Sequence, residues 1–313
     1  MPSFLLDVHK AQVVYDAARK WFTIVPPFFL PPQFFVDAPF GRFAILQKSI
    51  LSVDGIRSWI FMELVSFGTF IYTYTHSPLS PEAVGTSPPL TLTHPPTFLA
   101  ALFLTHYLNR ALISPLRTPS RSTSHLSVVL SAVVFNTLNG SLLGAYLSSP
   151  PAQAFLAGAF QRPLFWFGVA LWAAGFAGNI YHDEILLNIR RNAKAKGKDK
   201  APGANADADD NNGKDKKSRG EHYAVPHGAL YRFISYPNYF CEWAEWLGFA
   251  LAAAPAPSFV SVAAFTASVT PPWIFFFNEI WAMLPRAYRG HKWYHNRFPD
   301  YPKERKAVIP FVL

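Results

Sequence analysis

Long apolar segments alternate with short polar gaps along most of this 313-residue chain. Seven of them approach the roughly 20 residues that an α-helix needs to cross the hydrocarbon core of a bilayer. The pattern therefore predicts an all-α fold, an integral membrane bundle of seven transmembrane helices in a single domain, 1–313. The predicted spans are 11–31, 57–75, 97–116, 125–148, 163–182, 239–256 and 258–284.

The basic residues are concentrated in alternate gaps between these segments. No Lys or Arg occurs in 76–96, and Arg162 is the only one in 149–162. In contrast, Arg190, Arg191 and a Lys-rich stretch separate the fifth and sixth spans, and the C-terminal tail is basic. Because Lys and Arg accumulate on the cytoplasmic side of membrane proteins, this map predicts a cytosolic C-terminus and a lumenal N-terminus.

The composition agrees with a lipid bilayer as the main partner. Half of the residues are hydrophobic and 15% are charged, against roughly 25% charged in soluble domains. The net charge of +9 does not indicate a nucleic-acid partner, because the basic residues lie in the gaps. The single cysteine, Cys241, excludes an intramolecular disulfide, and no His/Cys spacing predicts a metal site.

One cytosolic gap is long and of different composition. Residues 192–221 mix Lys, Asp, Asn, Gly and Ala and contain no large apolar side chain. Such a stretch cannot bury a core, so it is predicted to be a disordered cytosolic insertion. Binding of lipid headgroups or a regulatory role is the alternative.

Polar side chains interrupt the second and third apolar segments. Glu63 lies in the second, and a buried carboxyl in its neutral form can donate a hydrogen bond to a carbonyl oxygen. The alternative for Glu63 is a structural ion pair between helices. In the third segment, His106 and Arg110 share a helical face, and Arg110 requires a counter-ion or a phosphate. Tyr107, read without further context, is typical of an anchor at the membrane interface.

The end of the fifth span carries groups that can hold a nucleotide. Asn179, Asp183 and Arg190 are spaced by four and seven residues and therefore share a helical face. Carboxylates accept hydrogen bonds from ribose hydroxyls, and guanidinium groups bind phosphate. For the neighbouring Arg191 alone, a positive-inside stop signal is the better interpretation.

The start of the sixth span repeats this arrangement. Asn238 and Glu242 are four residues apart, and Glu245 follows one turn later in a Trp-rich helix. The two carboxylates are expected to face the protein interior and to pair with arginines of the neighbouring segment. The chain has no G-x-G-x-x-G or P-loop motif, so a Rossmann domain is not predicted.

Three C-terminal blocks together resemble the steroid 5-alpha-reductase family. They are Asn-Ile-Tyr-His-Asp-Glu from Asn179, Tyr-Pro-Asn-Tyr-Phe-Cys-Glu-Trp from Tyr236, and Phe-Pro-Asp-Tyr-Pro-Lys from Phe298. Pro39-Phe40-Gly41-Arg42 also looks like a family element that has tyrosine where this chain has Phe40. Where the family often has a pair of histidines before the tail tyrosine, this chain has Gly290 and His291.

The resemblance implies an NADPH-dependent, multi-pass enzyme of the endoplasmic reticulum membrane. It implies that Glu63 and Tyr107 bind the substrate ketone. It places cofactor contacts on residues from four parts of the chain, namely Asn179, Asp183, Arg190, Asn238, Glu242, Tyr294 and Arg305. Arg110 and Arg121 are further candidates for phosphate.

The function implied is reduction of the 4,5 double bond of a 3-oxo-delta4-steroid or a similar enone lipid, a 3-oxo-5-alpha-steroid 4-dehydrogenase activity. Alternatives are a polyprenol or enoyl-CoA reductase of the same fold, a membrane methyltransferase that binds S-adenosylmethionine, and a non-catalytic lipid-binding protein. The sequence does not fix the exact substrate or the oligomeric state.

Overall fold

A computed structural model describes residues 7–29, 31–44, 50–81, 88–199 and 223–313. Within these ranges the fold is almost entirely helical. The long helices are α1 (Val8–Ile24), α3 (Gly55–His76), α4 (Pro95–Leu108), α6 (Leu126–Leu147), α8 (Pro163–Asp199), α9 (Pro237–Ala253) and α11 (Pro271–Arg297). The short helices are α2 (Pro26–Phe29), α5 (Ser114–Arg117), α7 (Pro150–Leu156) and α10 (Val262–Ser268).

Proline sets several of these boundaries. Proline is tolerated in the first helical turn, where its missing N–H would have no partner. Accordingly, Pro95, Pro163, Pro237 and Pro271 begin α4, α8, α9 and α11. The bounds of the predicted seventh span, 258–284, are wrong for this reason. Its first part contains the separate short helix α10, and α11 begins only at Pro271 and continues to Arg297.

The fifth helix is longer than its apolar part. The sequence predicted a span over 163–182 followed by disorder from 192, but α8 continues without interruption to Asp199. Residues 192–199 are therefore helical, and the rest of the predicted insertion lies outside the described residues. Among the residues described, two helical segments, Leu126–Leu147 and Pro163–Ala195, are long and apolar enough to cross a membrane. The seven-span topology stays a prediction.

Two helix pairs form the framework of the bundle, α3 with α6 and α8 with α9. Both pairs are close because a glycine lies at the crossing. A Cβ atom on Gly144 would lie 2.5 Å from the carbonyl oxygen of Phe70, and one on Gly168 would lie 2.6 Å from that of Gly248. Small residues at such positions let helix backbones approach within van der Waals contact.

Irregular segments lie at one end of the bundle, around the cavity described below. A π-helical turn, Asn109–Ile113, extends α4. Strands β1 (Ser52–Val53) and β2 (Ser124–His125) form a two-stranded antiparallel ladder, an addition to the predicted all-α fold. The segment before β1 is held against α11, because Asp37 accepts hydrogen bonds of 2.8 and 2.5 Å from Arg289.

Candidate active site

A cavity of about 400 Å³ opens between α3, α4, α6, α8, α9 and α11. The predicted site residues that line it come from separate parts of the chain, namely Glu63, Tyr107, Arg110, Arg121, Asn179, Asp183, Arg190, Asn238, Glu242 and Tyr294. Arg305 is the predicted site residue that does not line it. The fold therefore brings together side chains separated by up to 231 positions in sequence, as far apart as Glu63 and Tyr294.

Arg110 pairs with two buried carboxyl groups that line the cavity. Its Nη1 lies 2.9 Å from Glu242 Oε1, and its Nε lies 3.3 Å from Glu63 Oε2. Glu63 and Glu242 are 6% and 2% exposed, so this guanidinium neutralises charge inside the protein. Of the two partners predicted for Arg110, a counter-ion or a phosphate, the structure contains the counter-ion. The interhelical ion pair considered for Glu63 exists as well, within the cavity.

Amide groups tie α8 to α9 at the same wall of the cavity. Asn179 Nδ2 donates to Glu242 Oε2 and to the backbone oxygen of Asn238, each at 3.1 Å. Asn238 Nδ2 in turn donates to Asp183 Oδ1 at 2.9 Å. The helical faces predicted from the four-residue spacings are confirmed, and they face each other.

Tyr107 is buried in the protein interior, so its interpretation as an interfacial anchor is wrong. Tyr107 is 2% exposed, and its ring lies against that of Phe103 at a tilt of 39°, with centroids 4.7 Å apart. The amide of Asn139, on α6, donates to the Tyr107 hydroxyl at 3.0 Å. Because the phenol oxygen accepts this bond, its own hydrogen is not used by Asn139 and can be donated to another acceptor.

The partner predicted for Glu245 is wrong. Its Oε1 lies 2.7 Å from His106 Nδ1, on α4, rather than beside an arginine of the neighbouring segment. Arg191, on α8, pairs with Glu184 and Asn188 and does not line the cavity. This agrees with its interpretation as a stop signal.

The phosphate candidates lie at the polar end of the cavity. Arg121 packs on the ring of Trp59, with its guanidinium carbon 3.6 Å from the ring centroid. Arg190 lines the cavity one helical turn beyond Leu186 and Leu187. These groups and Arg110 give that end positive charge.

Arg42 is a cavity residue whose surroundings the sequence did not predict. Its guanidinium lies over four aromatic rings at 4.7 to 5.4 Å, those of Tyr223, Tyr236, Trp293 and Tyr294. Gly41 precedes it with a φ of +60°, a backbone conformation that favours glycine. The Pro-Phe-Gly-Arg run was the sequence signal for this turn.

Arg305 lies behind this aromatic wall. It is 4% exposed, its Nη2 is 3.4 Å from His227 Nδ1, and its guanidinium is 5.1 Å from the Tyr301 ring. Tyr301 stacks on the cavity residue Tyr294 with centroids 5.1 Å apart. Burial raises the pKa of the Tyr301 phenol, which therefore stays neutral. Arg305 thus supports the wall rather than forming part of its surface.

Apolar side chains from α3, α6 and α11 also line the cavity, namely Met62, Val128, Ala132, Phe135, Phe275, Ala282 and Met283. Polar groups on the same helices lie among them, namely Glu63, Asn136, Glu279 and Arg286. Glu279, on α11, is 8% exposed. Sequence analysis missed Glu279, although an acidic residue within Phe-Phe-Phe-Asn-Glu-Ile-Trp was a visible signal.

Fold and site together define a helical protein with a charged, amide-rich recess that continues into an apolar one. The sequence model of the 3-oxo-5-alpha-steroid 4-dehydrogenase family matches residues 122–313. The chain belongs to this family, that of the steroid 5-alpha-reductases, and is accordingly a membrane oxidoreductase.

Individual relatives are similar over most of their length. The 3-oxo-5-alpha-steroid 4-dehydrogenase 1 of Rattus norvegicus is 32% identical over 278 residues, 89% of this chain and 87% of the rat protein. The steroid 5-alpha-reductase DET2 of Solanum lycopersicum is 30% identical over 298 residues, 91% of both chains. An uncharacterized protein of Schizosaccharomyces pombe is 38% identical over 291 residues, 90% of this chain and 94% of that protein.

Proposed function

We propose that this protein uses NADPH to reduce the 4,5 carbon–carbon double bond of a 3-oxo-delta4-steroid or a similar enone lipid, in the membrane of the endoplasmic reticulum. The observation that carries this proposal is the shared cavity. Glu63 and Tyr107, which can polarise a ketone, line the same space as the amide and carboxylate cluster of Asn179, Asp183 and Asn238.

The polar end of the cavity fits a dinucleotide. Asp183 and the two asparagines offer hydrogen-bond acceptors and donors of the kind that ribose and carboxamide groups require. Arg42 Nη1 is buried and, among the described residues, has no hydrogen-bond partner, which suits an anionic or hydroxyl group of a ligand. When bound, NADPH supplies the hydride that adds to the β carbon of the enone.

The ketone is held where the two halves of the cavity meet. Tyr107 donates its hydroxyl hydrogen to the ketone oxygen while Asn139 fixes the phenol from the other side. Glu63 pairs with Arg110 through one oxygen and lines the same cavity, and it acts as a second donor to the ketone when protonated. Such preorganised donors stabilise the negative charge that develops on oxygen during hydride addition.

The apolar half accounts for the substrate class. Phe135, Phe275 and Met283 offer a surface without charge, which suits the hydrocarbon body of a steroid-like lipid. Lipid can enter from the bilayer, whereas the basic end of the cavity, on the side predicted to be cytosolic, admits NADPH. The whole chain acts as one reductase domain in this proposal.

Mass spectrometry of products from purified protein, given NADPH and a panel of lipids, tests the proposal. The panel contains 3-oxo-delta4-steroids, a polyprenol and an enoyl-CoA. A product heavier by two hydrogens from the steroid supports it, and reduction of the polyprenol or the thioester alone would assign the chain to another branch. If none is reduced and NADPH does not bind, the methyltransferase and the non-catalytic alternatives are separated by a binding assay with S-adenosylmethionine.

Tyr107→Phe is the matched variant, because it keeps the ring and removes one hydroxyl. Turnover should fall about 100- to 1000-fold, as for the loss of one oxyanion donor, while NADPH affinity stays within about twofold of wild type. Single-turnover oxidation of NADPH at saturating enone gives the rate. Normal turnover in this variant would contradict the assigned role of Tyr107.

A further inference from the structure

Glu279 has no role in the reaction described so far. It lies on α11 between Phe275 and Met283, which are four residues away on either side and line the cavity with it. No hydrogen bond or ion pair to another residue within the described ranges holds its carboxyl group. A buried carboxyl without such a partner is costly, so a functional reason for its presence is expected.

The carboxyl groups that line the cavity differ in their partners. Glu63 and Glu242 both pair with Arg110, and Glu242 also accepts a hydrogen bond from Asn179. Glu279 has neither kind of partner among the described residues and is 8% exposed. A buried carboxyl without a partner favours its neutral form, so Glu279 is the one of these three that can hold a proton to donate.

We propose that Glu279 is the general acid that protonates the α carbon of the enolate, on the basis of the proposed enone reduction. Glu63 and Tyr107 bind the ketone oxygen in the proposed function, so a different group must donate the proton to the α carbon. Among cavity-lining carboxyls, Asp183 is held by Asn238 at the polar end. Glu279 projects from the apolar wall against which the hydrocarbon body rests.

With NADPH bound, its hydride would form the new C–H bond at the β carbon, and the π electrons of the double bond would move to give an enolate. The α carbon then forms a bond to the proton of Glu279, and the O–H electron pair stays on the carboxylate. A proton taken up from solvent restores Glu279. The net reaction consumes one enone, one NADPH and one proton and gives the saturated ketone and NADP⁺.

Isotope labelling distinguishes an acid from a merely structural residue. In D₂O the wild-type enzyme should place deuterium on one face of the α carbon, because one carboxyl delivers it. Glu279→Gln cannot deliver a proton, so turnover should fall about 100- to 10,000-fold, and the remaining product should carry deuterium on both faces. NADPH affinity should match the wild type and serves as the test of folding.

Two results would overturn the assignment while the proposed function stands. One is a Glu279→Gln variant with normal turnover. The other is a slow variant that still labels a single face. If the wild type reduces no enone, the proposed function itself fails. If Glu279→Gln does not bind NADPH, Glu279→Asp is used instead, because it keeps a carboxyl group on a side chain shorter by one methylene. We expect this variant to place deuterium on one face of the α carbon at reduced turnover. Unchanged turnover would overturn the proposal.

A second readout needs neither cofactor nor substrate. Infrared spectra of the ligand-free protein should contain the C=O stretch of a protonated carboxyl that Glu279→Gln removes. Glu184→Gln is the matched control, because Glu184 pairs with Arg117 at 2.7 Å and does not line the cavity. Its spectrum should keep that band. A Glu279→Gln spectrum that retains the band in full would show that Glu279 is ionised, which contradicts its role as the acid.

Discussion

Replacement of Arg110 by Met should weaken the contact of α9 with α3 and α4. Arg110 lies 3.3 Å from Glu63 and 2.9 Å from Glu242, and both carboxyl groups are buried. Removing one partner of a buried ion pair costs about 3–5 kcal/mol, because the other charge stays buried without compensation. Since about 1.4 kcal/mol corresponds to a factor of ten, the opening equilibrium of α9 should rise roughly 100- to 4000-fold.

The chain contains a natural probe for this opening. Cys241 is the single cysteine, lies next to Glu242 on α9 and is 7% exposed. A thiol-reactive fluorogenic reagent reaches its sulfur only when α9 moves away from α8. When the reagent reacts with Cys241 more slowly than α9 closes again, the labelling rate is proportional to the equilibrium constant for the opening of α9. The labelling rate of Arg110→Met, divided by that of wild type, therefore measures the destabilisation directly.

Two controls define the result. Arg191→Met removes a partly exposed ion pair with Glu184, which is worth at most about 1 kcal/mol, so labelling should rise less than about tenfold. Arg110→Met combined with Glu242→Leu removes both charges of one pair and should label more slowly than Arg110→Met alone. Labelling of Arg110→Met within about threefold of wild type would refute the assignment of Arg110 as the cation that stabilises this cluster.

Two further predictions concern α8 and α11. Asp183→Ala and Arg190→Ala should each weaken NADPH binding by about 1.5–3 kcal/mol, roughly 10- to 150-fold; equilibrium titration measures this, and unchanged affinity in both would remove this helix end from the cofactor site. Gly290→Ala should lower thermal stability by about 1–3 kcal/mol, because its methyl group would overlap the Tyr236 hydroxyl. In a Tyr236→Ala background the same substitution should be nearly neutral, because no ring atom remains within 3.0 Å of the new methyl group; thermal unfolding measures both, and an equal effect in both backgrounds would contradict the overlap.

Several features of this protein follow from the sequence alone. The apolar segments determine a helical membrane fold, because backbone groups in lipid must be satisfied within the segment. The four-residue spacings of Asn179 with Asp183 and of Asn238 with Glu242 determine which side chains share a helical face. Prolines determine where helices begin, although the sequence placed the start of α11 too early. The seventh segment was apolar from 258 onward, and hydropathy does not separate α10 from the helix that follows.

The tertiary structure decided which of these faces meet. Spacing within a helix carries no information on its neighbours, so neither the bond between Glu245 and His106 nor the aromatic surroundings of Arg42 was predicted. Glu279 became a candidate only when α11 was packed against the cavity. Whether a cation or a hydrogen-bond donor reaches the Glu279 carboxyl group depends on distances between helices. These distances cannot be read from the sequence, because electrostatic interactions in a low-dielectric interior act across helices rather than along the chain.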